Sequence, residues 1–401
     1  MNKPSLHSVD RSPIKNSSYQ CGLANLGNTC FLNSCLQILN CVDEIERIVS
    51  RNAFAELEET ELVQNWIELR EFMLRDRVQP IVVNPIKFVK SVHSLAQKKG
   101  RELFTGWAQN DLPEFLQFLI ECAHNTRKRA IKMRINGIAE NSTDNLALKC
   151  YTMLKTEYER GDYSEYGEMF YGIYVSRLFT QDGAVTTSSG IPGTIDVGDR
   201  VVNFPEFTKE YSCKPESYCI LDLPIPESRG SPVSLIDCFD LFVQDELLSG
   251  WRNEVSGNIE PVKKNIVFWN FPRILMITLK RYSSDGRHKN NALVDFPTDQ
   301  PLDLSKYIIG YKATSYKYKL FGVANHMGGV NGGHYTAFIR PNGEKWLCCN
   351  DTSVSEMAGA TSPISDAATQ NPRIKIRGTN SMEDHSDVVT PAAYCLFYRK
   401  I

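Results

Sequence analysis

Apolar residues recur with a helical period after Cys30. They fall at Leu32, Cys35, Leu36, Leu39, Val42 and Ile45. Intervals of three, four and seven residues are typical of the buried face of an amphipathic helix. Gly27-Asn28, just before this run, is a turn signal, and Asn28 or Thr29 can serve as the N-cap. The pattern therefore predicts a helix whose first turn contains Cys30.

A different pattern occupies residues 325–354, NHMGGVNGGHYTAFIRPNGEKWLCCNDTSV. A glycine-rich segment leads into HYTAFI, which alternates as a strand does, and PNG then forms a turn before the returning strand KWLCCN. In such a hairpin, Asn350 or Asp351 would lie close to His334 and hold its imidazole. The alternative is a surface hairpin whose Asn-Asp pair only begins the next turn.

Together, the two segments contain the groups that a cysteine nucleophile needs. The positive end of a helix dipole and the N–H groups of the first turn stabilise a thiolate at Cys30. The thiolate requires a base, and the base requires an orienting group. A cysteine at a helix start, His334 opening a late strand, and Asn350 or Asp351 after the partner strand fit a papain-like triad. On the residues alone, a buried packing role for Cys30 is the alternative.

Composition and charge exclude several classes of protein. The 401 residues are 42% hydrophobic and carry a formal net charge of −2. These values support a sizeable core and give no general attraction to nucleic acid or to an anionic membrane. No apolar run reaches the length of about 18 residues that spans a membrane. The polar residues 1–20 lack the apolar segment of a signal peptide, so we expect a disordered tail.

Cysteine usage indicates a reducing compartment. Twelve cysteines without a secretory signal are expected to be buried, catalytic or metal-binding rather than disulfide-bonded. We therefore expect a cytoplasmic protein that is not secreted, and the basic run at 126–134 leaves nuclear import as an alternative. No CxxC pair occurs, and neither Cys213 with Cys219 nor Cys348 with Cys349 has the spacing of a structural zinc site. We expect no metal and no cofactor.

Several motifs between about residues 21 and 400 resemble those of the ubiquitin-specific proteases, and they occur in the same order. GLANLGNTCFLNSCLQ resembles the Cys box of that family, and GGHYTAFIR with WLCCNDTSV resembles its His box. Between them, GWAQNDLPEFLQFL resembles the glutamine-aspartate box, LPIP the strand from fingers to palm, and FPRILMITLKRY the central strand. AAYCLFYRK resembles the family's last strand.

The resemblance implies an α+β fold, a papain-like cysteine protease with the shape of a right hand. A helical thumb, about 21–165, would carry Cys30. Antiparallel β palm and fingers, about 166–401, would carry His334 and grip ubiquitin. Residues 21–401 would form one catalytic domain with no appended domain, and the small, polar residues 355–390 would be a flexible insertion.

The activity implied by the resemblance is hydrolysis of the isopeptide or peptide bond after the C-terminal glycine of ubiquitin. The implied partners are ubiquitin and ubiquitinated proteins, and we expect a monomer. Two alternatives belong to other classes of function. One is a catalytically silent scaffold that binds ubiquitin, and the other is a protease for a ubiquitin-like modifier.

The resemblance also implies a role for individual residues of the catalytic site. Cys30 would attack the scissile carbonyl, and His334 would act as the base. Asn350 takes the position of the third triad residue, and the charged Asp351 could share its task. Asn25, five residues before Cys30, matches the family position whose side-chain amide faces the oxyanion.

Residues of the glutamine-aspartate box have two interpretations. Asp111 followed by Glu114 is a capping-box pattern at a helix start. By resemblance, Gln109, Asp111 and Glu114 also line the channel for ubiquitin's arginine-bearing tail, a task for which carboxylates are suited. Tyr335 resembles the aromatic residue that shapes the path of the two terminal glycines.

The fingers and the loops beside the cleft carry two more expectations. Many family members bind zinc in the fingers through two CxxC pairs, but the corresponding segments, 176–183 and 249–258, hold no cysteine. Apolar packing is therefore expected to hold the finger sheet. Residues 283–292 and 325–333 resemble the family's blocking loops, and the glycines of the second segment are compatible with an adjustable lid. The alternative is that both segments are ordinary hairpin loops.

Overall fold

The computed structural model describes residues 19–49, 57–181, 194–196, 201–203, 207–227, 233–254, 257–283, 285–329, 332–343, 345–357 and 388–401. The expected tail, 1–20, and the expected insertion, 355–390, lie almost entirely outside this part of the chain. At their described ends, Tyr19, Val388 and Val389 are buried. No helix within the described ranges is both long and apolar enough to cross a membrane.

Most helices precede most strands along the chain. The helices of the described residues are α1 (Cys30–Asn40), α2 (Glu44–Val49), α3 (Thr60–Met73), α4 (Ile86–Lys98), α5 (Leu112–Asn125), α6 (Ser142–Glu159), α7 (Glu165–Phe170) and α8 (Leu235–Val243). The first nine strands are β1 (Cys21–Leu23), β2 (Ile81–Val83), β3 (Gly172–Gln181), β4 (Thr194–Asp196), β5 (Val201–Asn203), β6 (Phe207–Tyr218), β7 (Ile220–Pro224), β8 (Val233–Ser234) and β9 (Glu246–Arg252). The others are β10 (Ile259–Asn270), β11 (Ile274–Lys280), β12 (Val294–Asp295), β13 (Leu302–Asp303), β14 (Lys317–Gly329), β15 (Gly332–Ile339), β16 (Leu347–Asn350), β17 (Ser353–Glu356) and β18 (Ala393–Lys400).

Two sheets organise the strands. The palm sheet has the order β17-β16-β15-β14-β18-β11-β7, with β13 added to β14, and its neighbours are antiparallel except for β11 and β7. The finger sheet has the antiparallel order β6-β3-β10-β9. Helices that precede largely antiparallel sheets confirm the α+β fold expected from the sequence.

Helix α1 is enclosed on every side. All eleven of its residues are buried, so the predicted amphipathic helix also buries its polar face. Buried polar groups need hydrogen-bond partners, and two side chains of the helix find them in neighbouring segments. Gln37 Nε2 donates to the carbonyl of Cys21 at 2.7 Å, and Asn33 Nδ2 donates to the Asp351 carboxylate at 2.8 Å. The helix packs on strand β15, so its N-terminus is fixed relative to the palm.

The thumb and the palm share one hydrophobic core. Side chains of α1, α3, α4 and α5 pack in a single cluster with side chains of β14, β15 and β18. Gly322 in β14 lets α1 come close, because a Cβ at this position would lie 2.8 Å from Cγ2 of Ile38. A second cluster fills the space between the palm sheet and α8, and a third lies between α6 and the fingers.

The glycine-rich segment 325–333 belongs mostly to two paired strands, as the hairpin alternative expects. Residues 325–329 belong to β14 and residues 332–333 to β15, while 330 and 331 lie outside the described residues. A Cβ on Gly333 would lie 2.2 Å from the carbonyl oxygen of Met327, and one on Gly332 would lie 2.4 Å from Oε1 of Gln109. These two glycines therefore permit close approach within a hairpin.

Candidate active site

Cys30 is the first residue of α1 and is 4% exposed, which confirms its predicted place at a helix start. The preceding turn has left-handed backbone at Gly27 (φ 107°) and Asn28 (φ 55°). Asn25 holds this turn, because its Oδ1 accepts the backbone N–H of Gly27 at 3.0 Å and that of Thr29 at 3.2 Å. The side chain of Thr29 does not cap the helix.

His334 lies on β15, opposite the N-terminal end of α1. Asn350 is the last residue of the adjacent strand β16. The ring Nε2 of His334 is 2.7 Å from Oδ1 of Asn350. Because Oδ1 only accepts, Nε2 carries a proton, and Nδ1 is left to bond with Cys30. A hydrogen bond with Cys30 is the main cause that raises the pKa of His334 to about 9, against the opposing effect of burial. The hydrogen bond to Asn350 also raises this pKa, as do the negative charges of Cys30 and Asp351 nearby.

Asp351 does not bond to His334, so Asn350 alone of the two candidates contacts the ring. The Asp351 carboxylate accepts from Asn25 Nδ2 at 2.9 Å and from Asn33 Nδ2 at 2.8 Å. The left-handed backbone of Asp351 (φ 47°) turns its side chain away from the hairpin and toward the thumb. Although Asn350 and Asp351 are neighbours in the sequence, their side chains contact different partners: Asn350 contacts His334, and Asp351 contacts Asn25 and Asn33.

A cavity of about 460 Å³ opens beside Cys30. It is lined by Asn28, Cys30, Phe31, Gln109, Asn110, Asp111, Glu114, Tyr282, His326, Gly332, Gly333, Tyr335 and Tyr394. The cavity brings together all the residues expected to line a substrate channel, namely Gln109, Asp111, Glu114 and Tyr335. Residues of both the thumb and the palm line it.

Asp111 is held inside this cavity by its neighbours. Its carboxylate accepts from the hydroxyls of Tyr394 at 2.9 Å and Tyr335 at 3.3 Å, and from the backbone N–H of Glu114 at 3.3 Å. Burial raises the pKa of Asp111. Glu114 is different, because its side chain is exposed and has no hydrogen-bond or ion-pair partner among the described residues. Of the two carboxylates, only Glu114 is available to a cationic ligand in this arrangement.

His326 is a cavity residue that sequence reasoning missed. It is buried, its Nδ1 lies 2.5 Å from the Tyr282 hydroxyl and 3.2 Å from Lys289 Nζ, and its ring centroid is 4.5 Å from that of Tyr335. Burial, followed by the charges of Lys289 and His334, lowers the pKa of His326 to about 4. The ring is therefore neutral at pH 7. His326 lies opposite Tyr335 in the pairing of β14 with β15, which the sequence analysis did not predict.

Metal-binding chemistry has no candidate site within the ranges that the structure describes. No group of three or more His, Cys, Asp or Glu side chains there could hold a metal ion. All twelve cysteines are unpaired thiols, and eleven of them are buried.

The sequence is similar to curated ubiquitin carboxyl-terminal hydrolases. Human ubiquitin carboxyl-terminal hydrolase 2 is 31% identical over 360 residues, which cover 86% of this chain and 54% of that protein. Usp2 of Drosophila melanogaster is 27% identical over 356 residues, covering 87% of this chain and 34% of its own length. Hydrolase 4 of Saccharomyces cerevisiae is 25% identical and covers all of this chain but 42% of its own length. The chain thus spans between about a third and about half of these relatives.

Solved structures support the same fold. A chain in the structure of the SAGA Ubp8/Sgf11/Sus1/Sgf73 DUB module bound to ubiquitin aldehyde has a TM-score of 0.61 and 20% identity, with coverage of 96% of this chain and 70% of that one. The same module bound to monoubiquitin gives a TM-score of 0.59. The family model described as ubiquitin carboxyl-terminal hydrolase matches residues 21–398. Because that match includes the Cys30 turn, the cavity and the His334 hairpin, the chain belongs to the ubiquitin carboxyl-terminal hydrolase family.

Proposed function

We propose that this protein is a thiol-dependent deubiquitinase, which hydrolyses the isopeptide or peptide bond after the C-terminal glycine of ubiquitin. The observation that carries the proposal is the contact of His334 with both Cys30 and Asn350 at the edge of a thumb–palm cavity. Membership of the hydrolase family supports it. The modules of similar fold that bind ubiquitin aldehyde and monoubiquitin support ubiquitin as the substrate.

In the first half of the reaction, the Cys30 thiolate attacks the scissile carbonyl carbon and forms a tetrahedral oxyanion. The backbone N–H of Cys30 and the second amide hydrogen of Asn25 are the donors for this oxyanion. One such donor typically contributes a factor of about 10²–10³ in kcat. His334 then gives its proton to the leaving amine, the C–N bond breaks and a thioester to Cys30 remains.

In the second half, water attacks the thioester carbonyl. His334 takes the proton of that water, and the Cys30 thiolate leaves when the C–S bond breaks. Asn350 holds the ring in one orientation throughout, since its Oδ1 can only accept from Nε2, which keeps its proton while Nδ1 gains and loses one. A neutral Asn350 orients the ring without adding a negative charge to stabilise the imidazolium. That charge comes from the Cys30 thiolate and from Asp351.

Substrate contacts divide among the cavity residues. Glu114 offers an exposed carboxylate to an arginine of the ubiquitin tail. Asp111 acts indirectly, because it accepts from Tyr335 and Tyr394 and so fixes the wall of the cavity. Tyr335 narrows the path so that only a chain without side chains passes. Gln109 lies across that path.

We infer the organisation and location of the protein from the same arguments. Residues 21–401 act as one catalytic unit, with a thumb at about 21–165 and palm and fingers at about 166–401. The unit works as a monomer in the cytoplasm, and nuclear entry is the alternative. It uses no cofactor or metal, and a net charge of −2 gives it no general affinity for nucleic acid or membrane.

The decisive experiment is hydrolysis of a fluorogenic ubiquitin C-terminal amide by wild type, Cys30→Ala and Cys35→Ala. Cys35 is buried in the same helix and lines no cavity near His334, so its variant is the matched control. We expect turnover by wild type and Cys35→Ala and none by Cys30→Ala. Binding of ubiquitin by the wild type without turnover would identify a silent scaffold. Turnover only of another modifier's amide would identify a protease for that modifier, and failure to bind ubiquitin would overturn the proposal.

A further inference from the structure

Gln109 reaches from the thumb, just before α5, to the palm. Its Oε1 accepts the backbone N–H of Gly333 at 2.8 Å, and its Nε2 donates to the backbone carbonyl of the same residue at 3.1 Å. In an antiparallel strand pair, a residue can bond through both its N–H and its C=O to the single residue opposite it on the next strand. The side-chain amide of Gln109 therefore takes the place of a strand residue beside Gly333.

The edge that Gln109 occupies is otherwise open within the described structure. On one side of β15, Gly333 pairs with Gly328 of β14. On the other side, β16 pairs only with residues Ala337 to Ile339. The start of β15, immediately before His334, thus presents unpaired backbone groups to the cavity. Such an edge accepts an extended peptide through main-chain hydrogen bonds.

The side-chain amide of Gln109 lies close to the backbone of Gly332 and Gly333, but it does not pack in the hydrophobic core. A Cβ on Gly332 would lie 2.4 Å from Gln109 Oε1, so only glycine at 332 lets the amide dock there. Gln109 itself is exposed, and its other contact is a 3.5 Å hydrogen bond from Nε2 to Asn28 Oδ1. An exposed side chain that closes a cavity edge without packing in the core can leave at little cost to stability.

We propose that Gln109 is a latch that closes the substrate path in the free protein and must be displaced by the incoming tail. The inference rests on the proposed deubiquitinase function. An extended tail that brings its carbonyl to Cys30 passes the open edge of β15, where the N–H and C=O of Gly333 are its nearest backbone partners. The Gln109 side chain and the ubiquitin tail therefore compete for the N–H and the C=O of Gly333. A chain that cannot replace both hydrogen bonds is rejected, so Gln109 acts as a specificity-determining residue.

The experiment measures two quantities in wild type, Gln109→Ala and Gln117→Ala. Gln117 is an exposed glutamine of α5 that lines no part of the cavity, so its variant makes the same chemical change away from the latch. The first quantity is hydrogen exchange at the Gly333 amide of the free protein. The second is the second-order rate constant for capture by a ubiquitin C-terminal propargylamide, followed by intact mass.

We expect the Gly333 amide to exchange faster in Gln109→Ala and the capture rate constant to rise on the order of tenfold, because two hydrogen bonds no longer have to be broken. Gln117→Ala should match wild type in both. Unchanged exchange in Gln109→Ala would show that no latch forms. Faster exchange with slower capture would show that Gln109 assists the tail, and would overturn the inference. If no variant captures the probe, the deubiquitinase proposal fails, and exchange alone still decides whether the latch exists.

Discussion

The side-chain amide of Asn25 donates to the carboxylate of Asp351, with 2.9 Å between Nδ2 and Oδ2. This bond joins the turn before Cys30 to the turn after Asn350. The other carboxylate oxygen accepts from Asn33 at 2.8 Å. Two neighbouring residues therefore divide the work of the site, since Asn350 positions His334 and Asp351 positions Asn25.

This division predicts that Asp351→Ala damages the oxyanion donor and leaves the base in place. Asn25 would lose the partner that fixes its amide, and we expect kcat to fall by about 10²-fold with KM little changed. The measurement is steady-state hydrolysis of the ubiquitin C-terminal amide. A fall confined to KM would contradict this role and would indicate that Asp351 acts on ubiquitin binding.

Asn350→Ala should instead change the pH dependence. The raised pKa of His334, about 9, keeps the ring protonated through neutral pH, so wild-type kcat/KM should stay high and decline as pH rises through about 9. Loss of the Asn350 hydrogen bond removes one cause of that raised pKa. The alkaline decline should therefore move to lower pH in the variant.

The check is a pH–rate profile of kcat/KM for wild type, Asn350→Ala and Asp351→Ala. Asp351 also raises the pKa of His334, but its effect is smaller than that of the Asn350 hydrogen bond. Its variant should shift the alkaline limb less than Asn350→Ala does. An alkaline limb that stays in place in Asn350→Ala would exclude the orienting role.

Local patterns predicted the elements that carry the site. The apolar period after Cys30 identified α1, and the alternation around His334 identified the hairpin that brings Asn350 to the ring. Both depend on residues close together in the chain, where geometry follows from periodicity and turn type. Without the family resemblance, these patterns would still have suggested a thiol nucleophile and its base.

The contacts between distant segments could not be predicted in this way. Asn25 and Asp351 are 326 positions apart, and Gln109 and Gly333 are 224 apart. Neither bond leaves a periodic signal, because each depends on how the helices of the thumb and the palm sheet pack together. For the same reason, the sequence left two interpretations open for the glycines near His334. Flexibility and close approach both require glycine, and only the packed neighbours distinguish them.

Gly22→Ala tests whether strand β1 holds the turn at Asp351 and Thr352 in place. A Cβ on Gly22 would lie 2.2 Å from the backbone carbonyl oxygen of Thr352, and the N–H of Leu23 donates to the Asp351 carbonyl at 2.8 Å. The Thr352 carbonyl belongs to the backbone and cannot rotate away from the added Cβ, so the turn must shift. We therefore expect the free energy of unfolding to fall by about 1–3 kcal/mol. kcat should fall with it.

The control for that substitution is Gly250→Ala, where a Cβ has no atom within 4 Å. Urea unfolding and steady-state kinetics of the two variants should separate them clearly. Equal stability of Gly22→Ala and Gly250→Ala would mean that the contact between β1 and the Thr352 turn carries no constraint.

The last prediction concerns the fingers. In the order β6-β3-β10-β9, strands β6 and β9 are opposite edges, yet the rings of Tyr211 on β6 and Trp251 on β9 meet at 4.7 Å with an interplanar angle of 76°. The sheet therefore curls until its edges touch, and Tyr211 also donates to Oδ1 of Asn253 at 3.4 Å. Trp251 lies in the segment where a zinc-binding pair would be expected from the family.

We infer that this aromatic contact closes the finger sheet without metal. Trp251→Ala should lower the free energy of unfolding by about 1 kcal/mol beyond the loss of buried area, and a double-mutant cycle with Tyr211→Ala should show coupling of that size. KM for the ubiquitin amide should rise while kcat is retained, because no described residue of the finger strands lines the cavity beside Cys30. A chelator should leave the melting temperature of wild type unchanged. A chelator-induced drop would instead indicate that a metal, and not the aromatic pair, holds the fingers together.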